Sequence, residues 1–338
     1  MDYYSFSTGD SEVEVLKKNI LLIHTGGTIS MSEDTSGSVK PGTNNPLKEG
    51  TSLLSKLANL VIEEPFNLPS PHITPKEMMQ LKQLIEQYEQ TGTIEGAVIT
   101  HGTDTLEETA YFLDLTIQAS FPIVVTGAMR SSNELGSDGL YNLISSIKVA
   151  SSDEAKGQGV LVVLNDEIHT ALNVTKTHTS NLSTFQSPQY GPIGIVTKRG
   201  VHFHHTPTKH ENYSITDAEK KVVLIKAHAG MDSSLLNAIL GLEVDGAVIE
   251  ALGQGNLPPA ALEGVTDLIR NNIPVVIVSR SFNGIVQDIY GYEGGGKHLK
   301  ELGVIFSNGL NGQKARIKLL VALAKTNKME EISEMFMF

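Results

Sequence analysis

Apolar residues follow two rhythms along this chain. At 19–24, 96–100, 122–126 and 159–164 they form short aliphatic runs, rich in Ile, Val and Leu, with almost no polar interruption. Runs that short and that apolar predict strands buried on both faces. Between them the apolar positions recur every three or four residues. Met78, Leu81, Leu84, Ile85 and Tyr88 mark a helix over 75–90, with Pro75 at its first turn. Residues 106–115 predict a second helix, and Leu140, Leu143, Ile144 and Ile147 place a third over 138–150. Strands alternating with helices in this way predict an α/β fold: a larger N-terminal, open, mostly parallel sheet flanked by helices.

The rhythm breaks at 205–221, where His, Thr, Pro, Lys, Asn and Ser follow one another without period, so this stretch is expected to be a linker. The alternation then resumes, with strands expected at 222–226, 246–249 and 274–279 and helices at 233–242, 258–271 and 312–325. That is a second, smaller parallel α/β domain. The expected organisation is therefore an N-terminal extension over 1–18, a catalytic α/β domain over 19–204, the linker, and a C-terminal domain over 222–338.

Composition narrows the choice of partners. The net charge of −12 disfavours nucleic acid, whose binders carry basic stripes. The absence of cysteine removes disulfides, thiolate metal sites and cysteine nucleophiles at once. The first residues are polar and acidic, and no apolar run is long enough for a signal or a membrane span. A cytoplasmic protein without membrane contact is expected.

Two threonine-bearing segments sit where expected strands end. One is Thr25-Gly26-Gly27-Thr28; the other is Thr100-His101-Gly102-Thr103-Asp104-Thr105. In open α/β sheets ligands bind at the carboxyl ends of the strands, and Gly27 and Gly102 would let a ligand approach the backbone. Taken alone, Thr28 reads most simply as the cap of a glycine turn. The G-x-G-x-x-G spacing of a dinucleotide site is missing. Thr105 and Glu108 fit a capping box, which leaves Thr103 and Asp104 without a structural duty. Lys176 has nothing in its own spacing to mark it out. Gly291 to Lys297 imitates the start of a phosphate-binding loop, but His298 stands where Ser or Thr is needed. His202 and His204 share a strand face with no carboxylate or cysteine alongside, which speaks for an exposed edge rather than a metal site.

Taken together, these segments resemble the bacterial L-asparaginase family, the kind with a threonine nucleophile and two α/β domains. The resemblance runs from about Asn19 to the C-terminus. It includes Thr25 to Ile29, Thr100 to Ala110, Gly127-Ala128-Met129-Arg130, Ser137-Asp138-Gly139, Val174-Thr175-Lys176-Thr177, Tyr190-Gly191-Pro192, Gly255-Asn256 and Asn311 to Arg316. It implies an amidohydrolase that converts L-asparagine and water to L-aspartate and ammonia through a threonine acyl-enzyme. The same resemblance implies that Thr28 is the nucleophile and that Thr103, Asp104 and Lys176 pass a proton among them. Ser70 would hold the substrate α-carboxylate and Asp104 would face its α-ammonium. Gly27, Gly102, Ala128 and Tyr290 would line the pocket, with Asn256 lent by a neighbouring subunit. No cofactor or metal is implied, and the assembly would be a homotetramer built as a dimer of dimers.

Three positions depart from the family pattern. The loop after the first motif, 31–42, carries no tyrosine, and Ser38 falls near the expected place. Tyr290 stands where some relatives have a glutamate, and His72 where an acidic residue is frequent. Two rival functions stay open at this point. A mixed glutaminase-asparaginase would differ by one methylene of pocket length, worth only about 1–3 kcal/mol. A non-catalytic amino-acid sensor would have lost its tyrosine along with its activity.

Overall fold

A computed structural model describes residues 17–34, 36–41, 51–207 and 210–337. The expected N-terminal extension lies outside the described residues except for Lys17 and Lys18, as do Thr35 and Gly42 of the first loop.

Strand β1 (Asn19–His24) ends in a 3-10 turn at Thr28–Ser30 and a hairpin of β2 (Met31–Glu33) with β3 (Val39–Pro41). Helix α1 (Thr51–Leu54) precedes β4 (Asn59–Glu63). The expected alternation follows: α2 (Pro75–Thr91), β5 (Gly96–Thr100), α3 (Leu106–Thr116), β6 (Ile123–Thr126), α4 (Gly139–Ala150) and β7 (Val160–Leu164). Then come β8 (Glu167–Thr170), a small hairpin of β9 (Thr175–Lys176) with β10 (Phe185–Gln186), β11 (Gly194–Val196) and β12 (Val201–Phe203). The second unit runs β13 (Val222–Lys226), α5 (Ser234–Leu240), β14 (Gly246–Ala251), α6 (Leu262–Arg270), β15 (Val275–Ser279), α7 (Gly296–Glu301), β16 (Ile305–Phe306), α8 (Gly312–Lys325) and α9 (Met329–Met335).

The large sheet has the order β12-β11-β8-β7-β6-β5-β1-β4. From β7 to β4 all neighbours are parallel, while β8, β11 and β12 add an antiparallel wing. The wing begins at a two-residue turn, Asn165-Asp166, with φ of 51° and 65°. Positive φ at both central positions is the hairpin geometry that matches strand twist, and Asn and Asp tolerate it. The small sheet, β13-β14-β15-β16, is parallel throughout.

Alternation along the central strands explains the unbroken apolar runs. In β1, Ile20 and Leu22 face the layer of α4, whereas Leu21 and Ile23 face the layer of α2 and α3. That second layer is continuous with the C-terminal unit. Leu106, Ala110 and Leu113 of α3 share one core with Val248, Val276, Ala315 and Leu319. Helices α3 and α8 pack against each other at its centre. The described residues of 205–221 form no helix or strand, yet several of them are packed. Ile215 is buried in the same core, the Tyr213 N–H donates to the Leu115 carbonyl at 2.7 Å, and Lys318 pairs with Glu211 at 2.5 Å. Among the described residues no helix is long and apolar enough to cross a membrane.

Candidate active site

The site starts from two adjacent parallel strands, β1 and β5, that end side by side. Their last residues, His24 and Thr100, are in register, and the Thr25 N–H and hydroxyl both donate to the Thr100 carbonyl, at 3.1 and 2.8 Å. Beyond Thr25 the chain reverses through Gly26 and Gly27, with φ of 103° and 78°. Both glycines are compulsory. A Cβ on Gly26 would lie 2.5 Å from the Leu68 carbonyl oxygen, and one on Gly27 would lie 2.2 Å from the Gly102 Cα. The Gly27 N–H closes the turn on the Leu68 carbonyl at 3.1 Å. The backbones of the two threonine motifs are therefore pressed together at Gly27 and Gly102, and Thr28 follows at the first position of the 3-10 turn, half-buried.

Ser70 fills the third side. It opens a one-turn 3-10 helix, is 5% exposed, and its Oγ accepts from the Asp104 N–H at 3.2 Å. A Cβ on Gly102 would lie 2.8 Å from that Oγ. The Thr105 hydroxyl donates to the Ser70 carbonyl at 2.8 Å. This corrects the capping-box expectation. Thr105 does occupy the N-cap of α3, but its side chain makes no cap hydrogen bond, because it is used to fasten Ser70.

Lys176 reaches this corner from β9. Its ammonium donates to Thr103 Oγ1 at 2.9 Å and to Asp104 Oδ1 at 2.7 Å. Thr103 is buried, Lys176 largely so, and the Asp104 side chain is 58% exposed. The hydroxyl–ammonium–carboxylate chain is thus dry at one end and open to solvent at the other. Among the described residues no side chain is hydrogen-bonded to the Thr28 hydroxyl.

His101, between the two motifs, is fully buried, and burial holds its imidazole down at about 4, far below the usual histidine range. It is therefore neutral at pH 7. Nδ1 faces the Gly102 carbonyl at 2.7 Å, and a carbonyl can only accept, so Nδ1 carries the proton. Nε2 then accepts from the Thr109 hydroxyl at 2.9 Å. His101 anchors the Gly102 backbone to α3.

Other expected pocket residues fall in two groups. Ala128 is fully buried at the end of β6, beside Ile29 across Gly139. Its loop is fixed by Asp138, which accepts from the N–H groups of Met129 and Arg130. Asn256 and Tyr290 lie in the C-terminal unit and make their contacts there. Asn256 Oδ1 accepts from the Gly296 N–H at 3.2 Å, and the Tyr290 ring sits 5.5 Å from that of Tyr292. Ser38, near the place of the expected tyrosine, is held inside its hairpin by Asp34, whose Oδ1 accepts from the Ser38 N–H at 3.0 Å. An open cleft of about 270 Å³ between the two units touches Lys176 but none of Thr28, Thr103 and Ser70. Among the described residues no group of three or more His, Cys, Asp or Glu could hold a metal ion.

Glu107 and Lys314 lie within blocks of the resemblance, yet no role for either follows from the sequence. Glu107 lies between Leu106 and Ala110 on a face that buries it, and a buried carboxylate demands a partner.

Comparison with known proteins matches both units. Residues 19–209 match the family model described as asparaginase, N-terminal, and residues 221–336 match the glutaminase/asparaginase C-terminal domain. A probable L-asparaginase of Deinococcus radiodurans is 39% identical over 94% of this chain and 96% of its own length. An L-asparaginase of Bacillus licheniformis is 36% identical over 91% of this chain and 96% of its own, and L-asparaginase 2 of Bacillus subtilis is 35% identical over 94% and 86%.

Proposed function

The chain belongs to the asparaginase family, and from that membership we propose that it hydrolyses the side-chain amide of L-asparagine to L-aspartate and ammonia through an acyl-enzyme on Thr28. One observation carries the assignment of residues: the Thr103–Lys176–Asp104 hydrogen-bonded chain stands against the Gly27–Gly102 contact, one residue from Thr28.

An amide is a poor electrophile with a poor leaving group, and a covalent intermediate splits its hydrolysis into two easier steps. The Thr28 oxygen attacks the amide carbon while a water carries its proton towards the Thr103–Lys176–Asp104 chain, which returns a proton to the amide nitrogen. The 3-10 turn begins at Thr28, so its backbone N–H lacks an intrahelical partner and can donate to the oxyanion. One such donor is worth on the order of 3 kcal/mol of barrier. The amide nitrogen leaves as ammonia after protonation. A water activated at the Thr103 hydroxyl, with Lys176 and Asp104 behind it, then releases aspartate. Ser70 binds the α-carboxylate, and the solvent-facing carboxylate of Asp104 receives the α-ammonium. The hairpin bonds of Ser38 support no part for it as proton acceptor in this arrangement, which leaves the loop tyrosine without a direct replacement.

A homotetramer built as a dimer of dimers, with Asn256 reaching a neighbour's site and Tyr290 near the substrate amine, belongs to the same reading, as does a cytoplasmic location. Both of these residues sit on a C-terminal surface rich in exposed aromatic and aliphatic side chains, with Phe282 63% and Ile289 61% exposed. Ammonia release from L-asparagine and, in parallel, from L-glutamine by the purified protein tests the activity. Turnover of asparagine at least ten-fold above glutamine is expected. Turnover of neither would leave the sensor reading standing. Sedimentation at micromolar concentration tests the assembly.

A further inference from the structure

The strand that presents Lys176 is held by buried charges that take no part in the scheme above. Glu107, on the first turn of α3, is 4% exposed. Its Oε1 accepts from the Thr175 hydroxyl at 3.0 Å and from the Lys176 backbone N–H at 3.2 Å. Its Oε2 accepts from the Asn311 side-chain amide at 2.8 Å and lies 3.8 Å from the Lys314 ammonium. Lys314, 1% exposed, donates to the Leu172 carbonyl at 3.0 Å and to the Val174 carbonyl. Asn311 caps α8, its Oδ1 accepting from the Lys314 N–H at 3.0 Å. Two residues at the start of a C-terminal helix thus meet the 172–176 backbone, directly and through Glu107.

Burying a carboxylate and an ammonium together is expensive, and well-packed aliphatic residues would join two domains at less cost. Burial pulls the Lys314 amine down to about 8, which registers that expense. A simple domain clamp would also have no need to touch residue 176. Here one carboxylate oxygen is devoted to Thr175 and Lys176, and the residues that fix both ends of Lys176 lie within 103–107.

We propose that Glu107, Asn311 and Lys314 are positioning residues for Lys176, so that the C-terminal unit of the same chain sets where the Lys176 ammonium meets Thr103 and Asp104. The proposal rests on the reading of Lys176 as part of the reacting apparatus. Its test is steady-state kinetics of the full-length protein with L-asparagine, using Thr175→Val, Asn311→Asp, Lys176→Met and a core control, Leu319→Ala. Thr175→Val removes one donor to Glu107 and keeps the side-chain shape. Asn311→Asp keeps the helix cap but sets an acceptor against Glu107. Because small displacements of a reacting group are costly, kcat should fall about five-fold in Thr175→Val and about ten-fold in Asn311→Asp, with KM within about two-fold. Leu319→Ala should lower the melting temperature at least as much while keeping its kcat. Wild-type kcat in either variant, or a fall that Leu319→Ala reproduces, overturns the inference. Retained turnover in Lys176→Met overturns the reading beneath it instead.

Discussion

After β1 the chain reverses through two glycines at φ 103° and 78° and leaves Thr28 half-buried, with no side-chain partner among the described residues. After β5 it passes through Gly102 and ties Thr103 to Lys176 at 2.9 Å. Similar residues at neighbouring strand ends are thus built differently. One end has a rigid backbone and an uncommitted hydroxyl, and the other has a committed hydroxyl held by a charged network. A hydroxyl that must attack carbon needs a base once substrate is in place, and Thr28 has no side-chain partner fixed beside it among the described residues. A group that must move a proton gains from a wired one.

The largest effect should erase the contrast. Thr28→Ala and Thr103→Val should each lower turnover by roughly 10³-fold or more, since each removes an atom the reaction passes through. Near-normal ammonia release from either folded variant would end the assignment. Next comes backbone stiffness. Gly27→Ala should cost about 3 kcal/mol or more, because its Cβ would meet backbone at 2.2 Å with φ at 78°. Gly102→Ala meets mainly the Ser70 side chain, at 2.7 and 2.8 Å, and should fold while raising KM. Urea unfolding that ranked the two in the opposite order would contradict this account of the turn.

A third effect concerns the anchor of the second end. His101 binds its proton only near pH 4 when folded, but at about 6.5 when unfolded. Between those values the unfolded chain takes up a proton that the folded chain refuses, so stability is lost as pH falls from about 6.5 towards 4. The loss is on the order of 3 kcal/mol. His101→Gln should flatten that slope between pH 6.5 and 4.5, and an equal slope in both proteins would remove His101 from the explanation. The smallest effect separates the two hydroxyls by stability alone. Thr103→Val leaves the Lys176 ammonium short of an acceptor and should cost about 1–2 kcal/mol, whereas Thr28→Ala should stay within about 0.5 kcal/mol. Matching denaturation midpoints would show that the Thr103 network is as loose as the Thr28 hydroxyl.

The central strands and major helices could be read from the sequence because both faces of β1, β5, β6 and β7 are buried, which leaves unbroken aliphatic runs. Strands β4, β8 and β11 could not. Four of the five β4 residues are polar or exposed at a sheet edge, and β8 is Glu-Ile-His-Thr. The Asn165-Asp166 turn between β7 and β8 lacks the glycine that usually announces such a hairpin. The threonine motifs pointed to the corner between β1 and β5, but the partner of Thr105 did not follow from them. Thr105 with Glu108 has capping-box spacing, and only the fold shows that Ser70 lies closer to hand. Glu107 and Lys314 sit within recognisable blocks, yet spacing cannot reveal that residues so far apart along the chain share one buried site.

Beside a core of its own, each unit shares a third interior with the other: Leu106, Val276 and Leu319 belong to a single apolar mass in which α3 packs against α8. Anyone grafting a C-terminal half from a relative would be exchanging one wall of the other half's interior. Such a chimera would have to carry matching changes on α3 and at residues 172–176, or accept a protein that is soluble and poorly aligned for its chemistry.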